Sequence, residues 1–323
     1  METKKSPPEE KKSYRVRREE YRKYPFGYYH LCTDGWKEGN LFNTLEEFVW
    51  GMATMALVAL KFDVTIYGFE LMKNHIHIIL SATGAVCLEV FDFILSRLRR
   101  RLKEDGFPLP PDDYGFKLVP IMDQDTMRRQ AIYMVRNPYE KGYCLPGGYL
   151  WGSDYLIFNL AGQAIRGQRV DSVSVRQMRV MLGSKEVLPP DWEVHPELGV
   201  LPRSYVRYQK IEKLFGSVKE FVTRVVKDYE SFAFVAKSLG EELVLSEEEA
   251  REVVAAEAAA MYSGMTLREL TAEEKYRLAA RIHQKYGMAP EPLAQALGLR
   301  ERVVRQVLTS KDFGIRRAFS ERG

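Results

Sequence analysis

The chain has 323 residues, 46% of them hydrophobic and 28% charged, with a formal net charge of +4 at pH 7. That composition excludes a disordered or fibrous chain and leaves room for two or three packed domains. Three widely spaced cysteines, Cys32, Cys87 and Cys144, exclude a disulfide framework and a Cys-x-x-Cys metal site, while the mildly basic balance admits a nucleic-acid partner without requiring one.

Residues 1–13 are charged and proline-bearing with no apolar segment behind them, so no export signal is expected, and residues 1–22 read as a flexible terminus. A first strand is predicted over 25–33 from Phe26, Tyr28 and Tyr29 and the polar turn that follows. Thr44 and Glu47 stand three apart in a capping-box arrangement, which opens an apolar helix to about Leu60. Its most apolar stretch, 51–60, is too short to cross a bilayer as a helix, so no membrane partner is expected. Two strands follow over 62–72 and 75–82, joined tightly through Lys73-Asn74 as an antiparallel hairpin. Leu88, Phe91, Leu95, Leu98 and Leu102 then recur at helical spacing, and that helix ends in a basic cluster. After prolines at 108–111 come a short strand over 115–121 and a helix from about Asp125 to Arg136. Asn137-Pro138 is expected to bring that helix toward its end, because the residue before proline avoids the helical region.

The order β-α-β-β-α-β-α predicts an α+β fold, a ferredoxin-like four-stranded antiparallel sheet with packed helices. This gives a domain over 23–165, a connecting, largely helical region over 166–240, and a helical domain over 241–323. In the last, three helices are predicted at 272–286, 291–297 and 300–309. Ala294, Gly298 and Val303-Val304 supply what a helix-turn-helix needs. A dimerisation or purely structural bundle has the same spacing.

Within the 75–82 strand, His75 and His77 point to one face and Ile76 and Ile78 to the other, into a core. Two imidazoles so placed can share one metal ion, although a half-buried, internally satisfied pair gives the same pattern. On the helix before Pro138, Tyr133 and Asn137 share a face, with Gln130 and Arg129 nearby. Met127, Ala131, Met134 and Val135 form an apolar stripe opposite.

Met72, Asn74, His75 and His77, followed downstream by Tyr133, Asn137, Pro138, Lys141, Gly142 and the WGSDY run at 151–155, make residues 24–160 similar to single-tyrosine HUH transposases. The REP-associated group resembles the chain most. Lys73 stands where that family usually has proline, and TDGWK at 33–37 replaces a common arginine-glycine pair. The resemblance implies that Tyr133 is a nucleophile on single-stranded DNA. It also implies that His75, His77 and Asn137 ligate Mg²⁺ or Mn²⁺, and that the product is a 5′-phosphotyrosine. The implied substrate is a single strand bearing a hairpin, handled by a transposase or a domesticated descendant in the cytoplasm, associated with the nucleoid.

Lys73, Arg97, Arg100, Arg101, Arg128, Arg129 and Arg136 are expected to contact phosphates, with Arg300, Arg302 and Arg305 doing so from the C-terminal helices. His30 reads as a structural residue or a DNA contact rather than a ligand. Two other functions fit the same residues: an HUH replication or mobilisation nickase, and a catalytically inactive, sequence-specific DNA-binding protein. A homodimer is compatible with either.

Overall fold

The computed structural model describes residues 14–241 and 243–309. The chain divides after Val226 into two units, each compact in itself.

In the first unit, residues 14–21 form α1 (Tyr14–Tyr21), although the composition predicts a flexible terminus there; residues 1–13 lie outside the described residues. The Tyr14 ring packs edge-on against Phe91 and Phe116, and Tyr21 is buried against Phe116, so aromatic burial orders a helix that charge alone would leave in water. Then follow β1 (Gly27–Thr33), α2 (Leu45–Lys61), β2 (Thr65–Leu71), β3 (Ile76–Ala82), α3 (Gly84–Glu104), β4 (Phe116–Ile121) and α4 (Gln124–Glu140). The four strands make one antiparallel sheet in the order β2-β3-β1-β4, the ferredoxin-like arrangement.

α2 begins where its capping box places it. Thr44 Oγ1 accepts from Glu47 N at 3.2 Å and Glu47 Oε2 accepts from Thr44 N at 3.1 Å, satisfying two amides at the helix start. One sheet face, carrying Leu31, Ile76, Ile78 and Leu80, is buried with α2 and α3 in the main core. The opposite face carries His30, Cys32, His77 and Ile79, by the alternation of side chains along paired strands.

α4 runs four residues past Arg136, through Pro138, where proline was expected to end it. Pro138 costs the helix one amide donor. The last turn is held nonetheless: Asn137 Nδ2 donates to Tyr133 O at 2.9 Å, and the chain folds back so that Tyr143 N donates to Pro138 O at 3.0 Å. Burial of Met134, Val135 and Pro138 against the unit holds the helix where local propensity would release it.

The segment 151–153 lies along the free edge of β2. Leu71 N donates to Trp151 O at 2.8 Å, Ser153 N to Phe69 O at 2.9 Å, and Phe69 N to Ser153 Oγ at 2.9 Å. The tryptophan-serine run thus covers a sheet edge that would otherwise present unpaired amides. Beyond it come α5 (Leu160–Ala164), β5 (Gln168–Arg169), α6 (Val175–Leu182), β6 (Glu193–His195) and β7 (Gly199–Val200). β5, β6 and β7 form a small second sheet. α7 (Gln209–Glu212) sits beside β2, to which Arg207 N donates at Ile66 O, 2.8 Å away. α8 (Val218–Lys227) ends this part of the chain.

The second unit is helical: α9 (Tyr229–Leu239), α10 (Glu247–Met261), α11 (Ala272–Tyr286), α12 (Pro290–Leu297) and α13 (Glu301–Thr309). Gly298, with φ +64°, ends α12 in the left-handed region open to glycine, and Leu299 N returns to Ala294 O at 2.9 Å. Ala294, Leu297 and Val304 are buried where α12 and α13 meet α10 and α11. Among the described residues, no helix is long and apolar enough to cross a membrane.

Candidate functional site

β3 and β1 are paired with Cys32 opposite His77 and His30 opposite Ile79, so His30 and His77 are diagonal neighbours on one face. His75 stands one residue before β3, where Met72 N donates to His75 O at 2.9 Å and closes the Lys73-Asn74 turn. Over this face lies α4, bringing Gln130, Tyr133 and Asn137 down onto the histidines.

With the Gln130 and Asn74 amide oxygens facing the rings, the hydrogen bonds form one consistent pattern of ring protons. His30 Nδ1 donates to Gln130 Oε1 at 2.5 Å, which leaves His30 Nε2 as an acceptor. That nitrogen takes a proton from His77 Nδ1, 3.0 Å away, so His77 Nε2 bears a lone pair. His75 Nδ1 donates to Asn74 Oδ1 at 2.8 Å, an orientation in which Asn74 Nδ2 turns to Trp36 O, so His75 Nε2 also bears a lone pair. These two Nε2 atoms face each other at 3.0 Å.

The rings stay neutral. Burial pushes His30 down to about 4 against the Gln130 hydrogen bond. Burial also takes His75 down to about 4; the Asn137 side chain opposes this, and the charges of Lys141 and His30 add to it. His77 lies well below the usual histidine range through burial and then repulsion from His75 and His30, with Asn137 again opposing.

The Asn137 side chain therefore reaches both rings. Its Nδ2 donates to Tyr133 O at 2.9 Å. The Tyr133 ring stands edge-on to His77, with centroids 6.0 Å apart and planes at 82°. It is only 9% exposed, which makes it part of this cluster and not a tyrosine of the open surface.

Two ring nitrogens and the Asn137 side chain thus converge beside the Tyr133 ring. Two nitrogens each about 2.1 Å from one octahedral ion stand about 3.0 Å apart, the separation of His75 Nε2 and His77 Nε2. The donor set fits a divalent cation. Among the described residues no three His, Cys, Asp or Glu side chains converge as a metal site.

His30 and Gln130 form the layer behind the pair. From the sequence Gln130 falls near the Tyr133 face, but nothing local shows that it lies against His30, 100 residues away. The one available signal is that three of the five histidines fall in predicted neighbouring strands.

The basic residues divide. Lys73 is exposed beside the histidines, and Arg300, Arg302 and Arg305 are exposed on or next to α13. Arg100 is exposed and bonded to Gly183 O, Arg101 pairs with Asp105, and Arg128 and Arg129 both pair with Asp125. Arg97 and Arg136 do not fit the expected role of phosphate contacts. Arg97 is 7% exposed, with Nη2 on Leu182 O at 2.6 Å, Nε on Thr54 Oγ1 at 3.0 Å and its guanidinium 4.5 Å from the Trp50 ring. Arg136 is 2% exposed, bonded to Val225 O and Val226 O. Both guanidiniums complete backbone carbonyls inside the first unit.

No protein-family model and no curated protein matches this chain. Among solved structures, a REP-associated tyrosine transposase bound to a REP hairpin is distantly similar. The match covers 43% of this chain and 84% of that one, at 14% identity and a TM-score of 0.35. A likeness of that size carries no argument about the site.

Proposed function

We propose that the first unit is a metal-dependent single-stranded DNA endonuclease and strand transferase in which Tyr133 is the nucleophile and His75, His77 and Asn137 hold Mg²⁺ or Mn²⁺. The observation supporting this reading is the convergence of His75 Nε2, His77 Nε2 and the Asn137 side chain beside a phenol. A cation bound there supplies polarisation of the scissile phosphate and offsets charge on the departing oxygen.

The protein's own residues do the rest. Asn137 ties the phenol-bearing turn of α4 to the histidines, and His30 and Gln130 hold His77 in the tautomer that presents Nε2. The Tyr133 oxygen bonds to phosphorus while the bond to the 3′ oxygen breaks. The phenolic proton leaves to water and the 3′ oxygen takes one up. The phosphodiester is exchanged for a phosphotyrosine ester, so a second 3′-hydroxyl reverses the step and joins strands. A hairpin-bearing strand and a transposase, working or domesticated, complete the reading. Arg300, Arg302 and Arg305, exposed around the tight α12–α13 turn, suit contact with duplex phosphates.

Single strands taken from the inverted repeats flanking the gene, labelled at the 3′ end and incubated with Mn²⁺, are expected to give a covalent adduct on a denaturing gel. Tyr133→Phe should abolish it and His75→Ala with His77→Ala should depress it strongly. An adduct formed normally by Tyr133→Phe removes Tyr133 from this role. Specific binding with no adduct on any strand indicates a catalytically silent DNA-binding protein instead.

A further inference from the structure

Tyr143 is a large aromatic side chain left 45% exposed six residues beyond Asn137. It is not loose. Its backbone N is bonded to Pro138 O at 3.0 Å across Gly142, whose φ of +70° makes the sharp turn. One side of its ring is backed by Tyr149, with centroids 6.2 Å apart and planes at 21°. Tyr149 is itself buried and anchored through its hydroxyl to Leu71 O at 2.8 Å. The Tyr143 ring is therefore an exposed platform, backed on one side, at the β2–β3 turn and the end of α4, the two elements that carry His75 and Asn137.

A cation stands over it. Lys73 Nζ lies 5.6 Å from the ring centroid, and Lys73 is an exposed residue whose neighbour Asn74 holds His75. Lys141, half-exposed and 3.8 Å from the Glu140 carboxylate, precedes Gly142 in the turn that leads to Tyr143. An aromatic ring with an ammonium group beside it is the chemistry that holds an unpaired base: the ring takes the base's face and the ammonium takes the adjoining phosphate. Bases inside a duplex have no free face to offer, so such a platform selects single strands.

We infer that Tyr143 and Lys73 form a subsite for one unpaired nucleotide of the DNA strand, next to the phosphate held at His75, His77 and Asn137. The inference rests on the proposed function for its ligand, and it adds a residue that sets single-strand preference. The Lys73 ammonium moves from the ring to the strand's phosphate as the base arrives.

The test uses the full chain, EDTA and short single strands carrying 2-aminopurine, so that no bond is cut. Tyr143→Leu is expected to weaken single-strand binding by roughly tenfold or more, the usual worth of one stacked base. It should leave duplex binding unchanged and remove the quenching of 2-aminopurine. Tyr143→Phe, which keeps the ring, should restore both. Lys73→Met should lower the slope of log affinity against log salt by about 0.7, the value of one phosphate contact on a single strand. Unchanged single-strand affinity in Tyr143→Leu overturns the inference. Should that variant still form the Tyr133 adduct when assayed separately with Mn²⁺, the catalytic reading stands while the subsite falls. Should the unaltered protein form no adduct with Mn²⁺ while binding in EDTA stays dependent on the Tyr143 ring, the subsite stands and the catalytic reading falls.

Discussion

His75 Nε2 and His77 Nε2 face each other across 3.0 Å, and in the tautomers that Asn74 and His30 favour neither carries a proton for the other. Two lone pairs held that close repel unless a positive charge stands between them. The residues that impose the arrangement are as informative as the pair. Asn74 takes the only proton of one ring, and a line through His30 to Gln130 takes the only proton of the other.

That line makes a prediction about His30, which touches no candidate ligand position except through His77. Replacing His30 by Ala frees His77 to adopt the other tautomer and turns Nε2 into a donor. Mn²⁺ affinity, followed by titration calorimetry, is expected to fall by about 10- to 100-fold, as for other residues that orient a metal-binding histidine. His30→Gln, able to accept from His77 Nδ1, should lose less. Equal affinity in all three proteins would mean that His77 keeps its tautomer by some other contact.

Local patterns in the sequence were legible wherever structure is decided locally. The Thr44–Glu47 box starts α2 at Leu45, and the alternation of His75, Ile76, His77 and Ile78 sends the isoleucines into the core. The misreadings share one cause, which is that partners distant in sequence override local preference. α4 continues through Pro138 because Met134 and Val135 are buried by the rest of the unit. Arg97 and Arg136 read from the sequence as phosphate contacts, and their carbonyl acceptors come 85 to 90 residues later. His30 and Gln130 are brought together only by the docking of α4 on the sheet, which no spacing announces.

Arg97 can be separated from any DNA contact by experiment. Its guanidinium completes carbonyls at the end of α6 and lies on Trp50, so Arg97→Ala leaves buried acceptors without donors. Chemical unfolding should show a loss of about 2–3 kcal/mol, the range for an orphaned buried polar group together with lost packing. The salt dependence of DNA binding should be unchanged. A lower salt slope with full stability would return Arg97 to the phosphate-contact role.

Gly152 tests the edge that the tryptophan-serine run covers. A Cβ at this position would lie 1.8 Å from Glu70 Oε2 and 2.6 Å from Phe69 O, and the second of these is backbone. Gly152→Ala therefore pushes the 151–153 segment off β2, with an expected cost of about 1–3 kcal/mol, typical of overpacking a filled interior. Faster amide exchange at Phe69 and Leu71 should accompany it. A variant with the wild-type melting point and unchanged exchange would show that the segment has room to shift.

Glu257 ties the second unit together and gives it a pH dependence. The residue is 6% exposed and accepts from Lys285 Nζ at 2.7 Å, Arg281 Nε at 2.9 Å and Tyr286 Oη at 2.8 Å. Burial alone would raise its carboxyl; the bonds from Lys285, Arg281 and Tyr286 outweigh that and hold it down at about 2, against 4.5 when unfolded. A depressed carboxyl contributes stability above the unfolded value, and that contribution drains away as pH falls from 4.5 towards 2. Lowering a carboxyl that far below its unfolded value stabilises the folded state at neutral pH by about 3 kcal/mol. In the full chain, urea titration read by hydrogen exchange in α10 and α11 should place Glu257→Gln below wild type by that amount at pH 7. The gap should narrow steadily below pH 4.5. A gap that stays constant across that range would assign the loss to packing around Lys285 and Tyr286 and not to the charge on Glu257.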